Sequence, residues 1–156
     1  MIKRLLISLV LFVAAGLCAS AQDVLARILE VNMPDSLQAS WVRTYHSPML
    51  QENLVSSGTV FLKQPDVLRW ETLEPVHSLT EFNGEQQRGR FRLPQEKDFD
   101  AQVLESEQIT VILTPKRRDL KQMFSQIVAT VDKKTYRVSS VLLKGFEGEW
   151  TRIDFK

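Results

Sequence analysis

His46 and His77 are the two side chains of this sequence that can carry a proton near neutral pH. Neither lies in a motif that would set it beside a nucleophile, and His46 falls among the polar positions of an alternating segment. Glu71 and Glu74, in the run WETLEP, could be imagined as an acid and base pair. Three apart in an extended segment, they project to opposite faces, and with Arg69 beside them they read as a solvated charged edge. The sequence has no G-x-S-x-G elbow, no phosphate-binding glycine loop and no H-E-x-x-H zinc motif. No cluster of His and Cys offers a metal site. The expectation is a protein that is not an enzyme and carries neither cofactor nor metal.

The remaining chemistry is binding, and composition narrows it. Lys3 and Arg4 precede an apolar run of 13 residues, Leu5 to Leu17, and Ala19-Ser20-Ala21 supplies the small residues of a cleavage site. Residues 1–21 therefore read as a secretory signal peptide. The run is short of the ~20 residues of a membrane-spanning helix, which disfavours a retained anchor. Cys18 raises lipid attachment as a further option, but Leu17 is bulky where such sites carry a small residue. A cut after Ala21 leaves 135 of the 156 residues, 22–156, the size of one ordinary domain. That domain has no cysteine, so it is held by an apolar core and not by disulfides. Without Lys3 and Arg4, 18 basic residues face 19 acidic ones, a balance that argues against a nucleic-acid partner. The cluster Lys116-Arg117-Arg118 is too short to reverse this and reads as a solvated turn.

The elements that would position a binding surface follow from periodicity. Asp23 to Asn32 reads as a short amphipathic helix, N-capped by Asp23, with Leu25, Ile28 and Leu29 on one face and Pro34 ending it. From Leu37 the period becomes two: Leu37, Ala39, Trp41 and Tyr45 alternate with Gln38, Ser40, Thr44 and His46. Gly58 to Lys63, a turn at Gln64-Pro65-Asp66 and Val67 to Thr72 form a hairpin. Asn83-Gly84 is the strongest two-residue hairpin signal, and Gly89 to Leu93 is a further candidate strand. Pro94 to Glu107 is polar and acidic and reads as a loop or an edge strand. Ile109 to Leu113 is a β-branched strand stopped by Thr114-Pro115, and Asp119 to Phe124 could form one helical turn. Ile127 to Val131, Thr135 to Leu143 and Glu149 to Phe155 complete an antiparallel meander. The predicted class is mainly β (α+β): about nine strands in a curved antiparallel sheet with an N-terminal helix packed on it.

One stretch is more specific. The pattern G-x-[apolar]-[aromatic]-[apolar]-K-x-P-x-x-x-R-W-E-x-x-x-P is carried by Gly58, Val60, Phe61, Leu62, Lys63, Pro65, Arg69, Trp70, Glu71 and Pro75. It resembles the LolA family, the periplasmic carriers of outer-membrane lipoproteins. Ser36 to Trp41 is similar to the family's first strand, Asn83-Gly84 to a later turn, and Leu113-Thr114-Pro115-Lys116 to its late L-x-P-K motif. The resemblance implies a half-open antiparallel barrel with an apolar cavity for the acyl chains of lipoproteins. It also implies periplasmic localisation, Pro65, Arg69 and Glu71 as motif residues, and acylated lipoproteins as partners. An inner-membrane lipoprotein-release transporter and an outer-membrane acceptor would be the donor and recipient, and the carrier is expected to be a monomer.

An acyl chain of ~15 methylenes offers on the order of 12 kcal/mol of burial, so an aqueous carrier needs an apolar concave face and no catalysis. By alternation Val60 shares a face with Leu62, Leu68 with Trp70, and Ile109 with Val111 and Leu113; these seven are the candidate cavity liners. The same residues could instead form an ordinary closed core. Two departures from the family pattern bear on the choice. Gln64 stands where family members carry a latching arginine, and only 30 residues separate Asn83 from Leu113, an interval that holds lid elements in relatives. A LolA-like interaction or sensor module without a working lid is the alternative.

Overall fold

The computed structural model describes residues 19–32, 35–63, 67–82 and 98–156. Helix α1 (Ala19–Asn32) leads into β1 (Ser36–His46), β2 (Leu54–Lys63), β3 (Val67–Glu74) and β4 (Ser78–Phe82). The chain continues through β5 (Phe99–Glu105), β6 (Ile109–Pro115), helix α2 (Arg118–Met123), β7 (Gln126–Val131), β8 (Val138–Lys144) and β9 (Trp150–Phe155). The nine strands among the described residues form one antiparallel sheet in the order β4-β3-β2-β1-β9-β8-β7-β6-β5. Two meanders build it. The first runs outward from β1 to β4, the second inward from β5 to β9, and they join where Trp41 stands opposite Phe155. The ends are the edge strands β4 and β5, so the sheet is curved and unclosed. That is the architecture the alternating pattern led to.

Local chemistry explains the connections. At the β7–β8 turn the Asp132 carboxylate accepts from the backbone N–H groups of Lys134 and Thr135 at 2.9 and 2.7 Å and from the Thr135 hydroxyl at 3.0 Å. These bonds hold its carboxyl below the usual carboxylate range. Tyr136 follows in the left-handed region, φ 58°. Its carbonyl accepts from Asn32 Nδ2 at 2.7 Å, while Asn32 Oδ1 accepts from the Val138 N–H at 2.9 Å. The same amide closes the last turn of α1 on the Ile28 carbonyl. One asparagine thus ends the helix and clasps it to the sheet, and Arg27 lies over the Tyr136 ring at 5.0 Å.

The helix departs from expectation at its start. Its described part reaches back to Ala19, so Asp23 is an exposed residue within it and not its cap, and the residues of the expected cleavage site are helical. Ala19 and Ala21 are strong helix formers and carry the helix N-terminal to Asp23. Leu25 and Ile28 are buried as their spacing required. The segment 94–107 contributes β5, the edge strand that was one of its two readings. Strand β4 escaped notice because Ser78, Thr80 and Glu81 leave it without an apolar rhythm. Leu29's side chain, Pro34, the turn Gln64-Pro65-Asp66, Asn83-Gly84 and Gly89 to Leu93 lie outside the described residues.

Lys116-Arg117-Arg118 is only partly the solvated turn expected. Lys116 is exposed and pairs with Asp100 at 2.9 Å, but the Arg117 side chain is 17% exposed and bridges Asp98 at 3.3 Å and Asp119 at 2.6 Å. Asp98 precedes β5 and Asp119 opens α2, so one guanidinium ties an edge strand to a helix. Spacing alone could not reveal the buried partner, because Asp98 lies 19 residues upstream.

Candidate functional site

Residues opposite one another in an antiparallel ladder share a face. Register therefore assembles the inner face row by row. Leu37, Leu62 and Leu68 stand in one row across β1, β2 and β3. Ala39, Val60 and Trp70 form the next. Trp41, Gly58 and Thr72 follow, with Phe155 on the far side of Trp41. Arg43, Ser56 and Ile153 form the fourth row, and Tyr45 and Thr151 belong to the fifth. Ile153 faces Val141, Val141 faces Ala129 and Ala129 faces Val111, so the same face continues to Ile109 and Leu113 on β6.

All seven candidate liners thus lie on one face of the sheet. Val60, Trp70, Ile109, Val111 and Leu113 are buried, each at 6% exposure or less, in a core shared with Leu25 and Ile28 of α1 and Leu120 of α2. Leu62 and Leu68 are only partly covered, as are Leu37 and Ala39 beside them. The face is therefore a packed core toward β6 and an apolar, half-covered end at the row of three leucines.

Polarity changes along the strands. The leucine row and the row after it are apolar, two tryptophans occupy the middle, and Arg43, Ser56 and Thr151 lie beyond. Trp41 and Trp70 stack with centroids 4.7 Å apart and planes at 25°. A side chain at Gly58 would strike the Glu71 carbonyl and come within 2.8 Å of Trp41 Cζ2, so the glycine makes room for the indole. Arg43 Nε donates to Ser56 Oγ at 3.0 Å, and burial lowers the guanidinium pKa from its ordinary value. Arg43 was missing from the alternating pattern, which named Trp41 and Tyr45 but passed over the residue between them. Period two alone puts it on their face.

The motif residues divide. Trp70 is core, whereas Arg69 and Glu71 point to the outer face: Arg69 pairs with Glu81 at 2.7 Å and Glu71 with His77 at 2.8 Å. Pro65 lies outside the described residues. Glu74 is exposed, and the register irregularity beside Gly58 sets it opposite Ser57, on the face of Thr59 and Glu71 and not on the opposite face expected. His46 Nδ1 lies 2.8 Å from Asn53 Oδ1 and its ring stacks on Trp150 at 5.2 Å. Among the described residues no group of three or more His, Cys, Asp or Glu could hold a metal ion, and no helix is long and apolar enough to cross a membrane.

The architecture has counterparts among solved structures. The chain is similar to MucB, with a TM-score of 0.52 at 17% identity over 88% of this chain and 57% of that one. It is also similar to MucB in the Pseudomonas aeruginosa MucA/MucB complex (TM-score 0.48, 15% identity, 88% and 56% covered). A third likeness is to the LolA superfamily protein NE2245 from Nitrosomonas europaea (TM-score 0.46, 13% identity, 87% and 91% covered). The chain spans little more than half the length of the MucB chains. No family model matches the sequence, and no curated protein does. The open nine-strand antiparallel sheet with its N-terminal helix shares its fold with MucB. At these identities the likeness is one of fold.

Proposed function

We propose that this chain is a periplasmic carrier that shields the acyl chains of lipoproteins between the inner and outer membranes. In this reading residues 1–21 are a signal peptide and 22–156 the carrier domain, and the domain is not an enzyme. The observation that carries the proposal is the common face of Val60, Leu62, Leu68, Trp70, Ile109, Val111 and Leu113 in an unclosed sheet, half-covered at its leucine row. An acyl chain gains most by covering apolar surface that water still reaches. It therefore enters at Leu37, Leu62 and Leu68 and extends toward Trp70. Acylated lipoproteins are the cargo, with an inner-membrane release transporter as donor and an outer-membrane acceptor as recipient.

The likeness to MucB favours a second reading, a non-catalytic envelope module that binds a protein partner on the same fold, as MucB is found with MucA. Lipid extraction of protein purified from the periplasm separates the two. Acyl chains recovered in stoichiometric amount support the carrier, whereas lipid-free protein that captures an envelope protein supports the module.

A further inference from the structure

The middle of the inner face carries hydrogen-bond donors that find no acceptor among the described residues. Trp41 and Trp70 are 1% and 2% exposed, and neither buried indole Nε1 has a hydrogen-bond partner among the described residues. Buried N–H groups are almost always paired, so two orphans on stacked rings stand out. Arg43 lies two residues beyond Trp41 on the same strand and hence on the same face. Its Nε is taken by Ser56 Oγ, itself buried. Among the described residues the guanidinium has no other hydrogen-bond partner and no carboxylate partner. Arg43 is half-buried, and burial lowers its pKa from the ordinary value.

Two indole N–H groups and a guanidinium together supply donors only. The chemistry they lack is an oxygen acceptor, and the cation prefers it anionic. Three leucines in register lie on the other side of the tryptophans, two rows from Trp41. Donors at one end and hydrocarbon at the other match a molecule with an anionic head and an alkyl tail.

We infer that Arg43, Trp41 and Trp70 form a head-group site for an anionic amphiphile, its phosphate or carboxylate held by the guanidinium and the indole N–H groups and its tail lying along Leu37, Leu62 and Leu68. The inference rests on the reading of the inner face as an acyl-chain surface and adds to the neutral acyl anchor of a lipoprotein a second ligand class, an amphiphile with a charged head.

The test titrates the mature protein with hexadecyl phosphate, palmitate, hexadecanol and inorganic phosphate, each amphiphile kept below its micelle concentration. Tryptophan fluorescence is the readout, since a hydrogen bond to Nε1 alters indole emission. A Trp150→Phe background removes the signal of the tryptophan that stacks on His46. Hexadecyl phosphate and palmitate are expected to bind about tenfold tighter than hexadecanol. Arg43→Gln should bring the affinity for the two anions down to that for hexadecanol measured in the same variant, and Arg43→Lys should keep part of the preference. Hexadecanol binding as tightly as the anions, or a preference surviving in Arg43→Gln, overturns the head-group site and leaves the acyl-chain reading intact. Binding of none of the amphiphiles overturns both. Inorganic phosphate binding as tightly as hexadecyl phosphate would mean a free anion site and refute the amphiphile.

Discussion

The indole rings of Trp41 and Trp70 stack 4.7 Å apart across β1, β2 and β3, although Trp41 stands opposite Gly58 and Trp70 opposite Val60. The stack is diagonal in register and bridges the strand between the two. It is possible only because Gly58 presents no side chain. A pair of this kind contributes about 1 kcal/mol beyond the area it buries. It also marks the boundary between the leucine end of the inner face and the Arg43 end.

Gly58→Ala is expected to destabilise the protein by about 2 kcal/mol, the cost of overpacking a filled core. The added methyl meets the Glu71 carbonyl, which is backbone and cannot step aside, as well as Trp41. Urea denaturation followed by tryptophan emission measures it, and an unchanged midpoint would show that the stack is loosely packed.

Substitution by glutamate separates lining from core. Leu68 is partly covered, so Leu68→Glu should fold with near-normal stability and lose most of its affinity for acyl chains. Trp70 is 2% exposed, so Trp70→Glu should fail to fold cooperatively. Circular dichroism and a lipid-binding titration on both variants check the pair.

Asn32→Ala removes the clasp between α1 and the sheet. It strands the Val138 N–H and the Tyr136 carbonyl, at a cost of about 2 kcal/mol. Hydrogen exchange should quicken in α1 while the β8–β9 ladder stays protected.

Arg117→Ala leaves Asp98, 5% exposed, without its guanidinium partner, and is expected to cost about 3 kcal/mol. The same substitution alters acid behaviour. Hydrogen bonding from Arg117 holds the Asp119 carboxyl below its ordinary value, outweighing burial. A depressed folded pKa gives stability that is complete above the unfolded value of ~3.9 and is lost as pH falls through the folded one. Thermal melts from pH 6 down to pH 2 should show that loss in the parent protein and a shallower one in Arg117→Ala.

Much of this was legible in the sequence because strand periodicity is a local signal. Trp41, Val60, Trp70, Ile109, Val111 and Leu113 fall at period two along their strands, and the structure buries each of them. What local pattern cannot carry is register. That Leu62, Leu68 and Leu37 form one row depends on pairing across three strands, and that β1 meets β9 depends on residues more than a hundred apart. Arg43 was readable by the same alternation, but a charged residue among apolar ones was passed over, and its position shows why the inner face is not uniformly apolar. The start of α1 was misplaced because alanines 19 and 21 outweigh the cap signal of Asp23. Arg117 was misjudged because its partner Asp98 comes from a different strand edge.

The central claim is that the inner face holds acyl chains. Native mass spectrometry of the mature protein mixed with a purified triacylated lipoprotein, beside a soluble form of the same lipoprotein lacking its acyl chains, tests it most directly. A one-to-one complex with the acylated form alone is expected, and its loss in Leu68→Glu. Equal binding of both forms, or of neither, would contradict it.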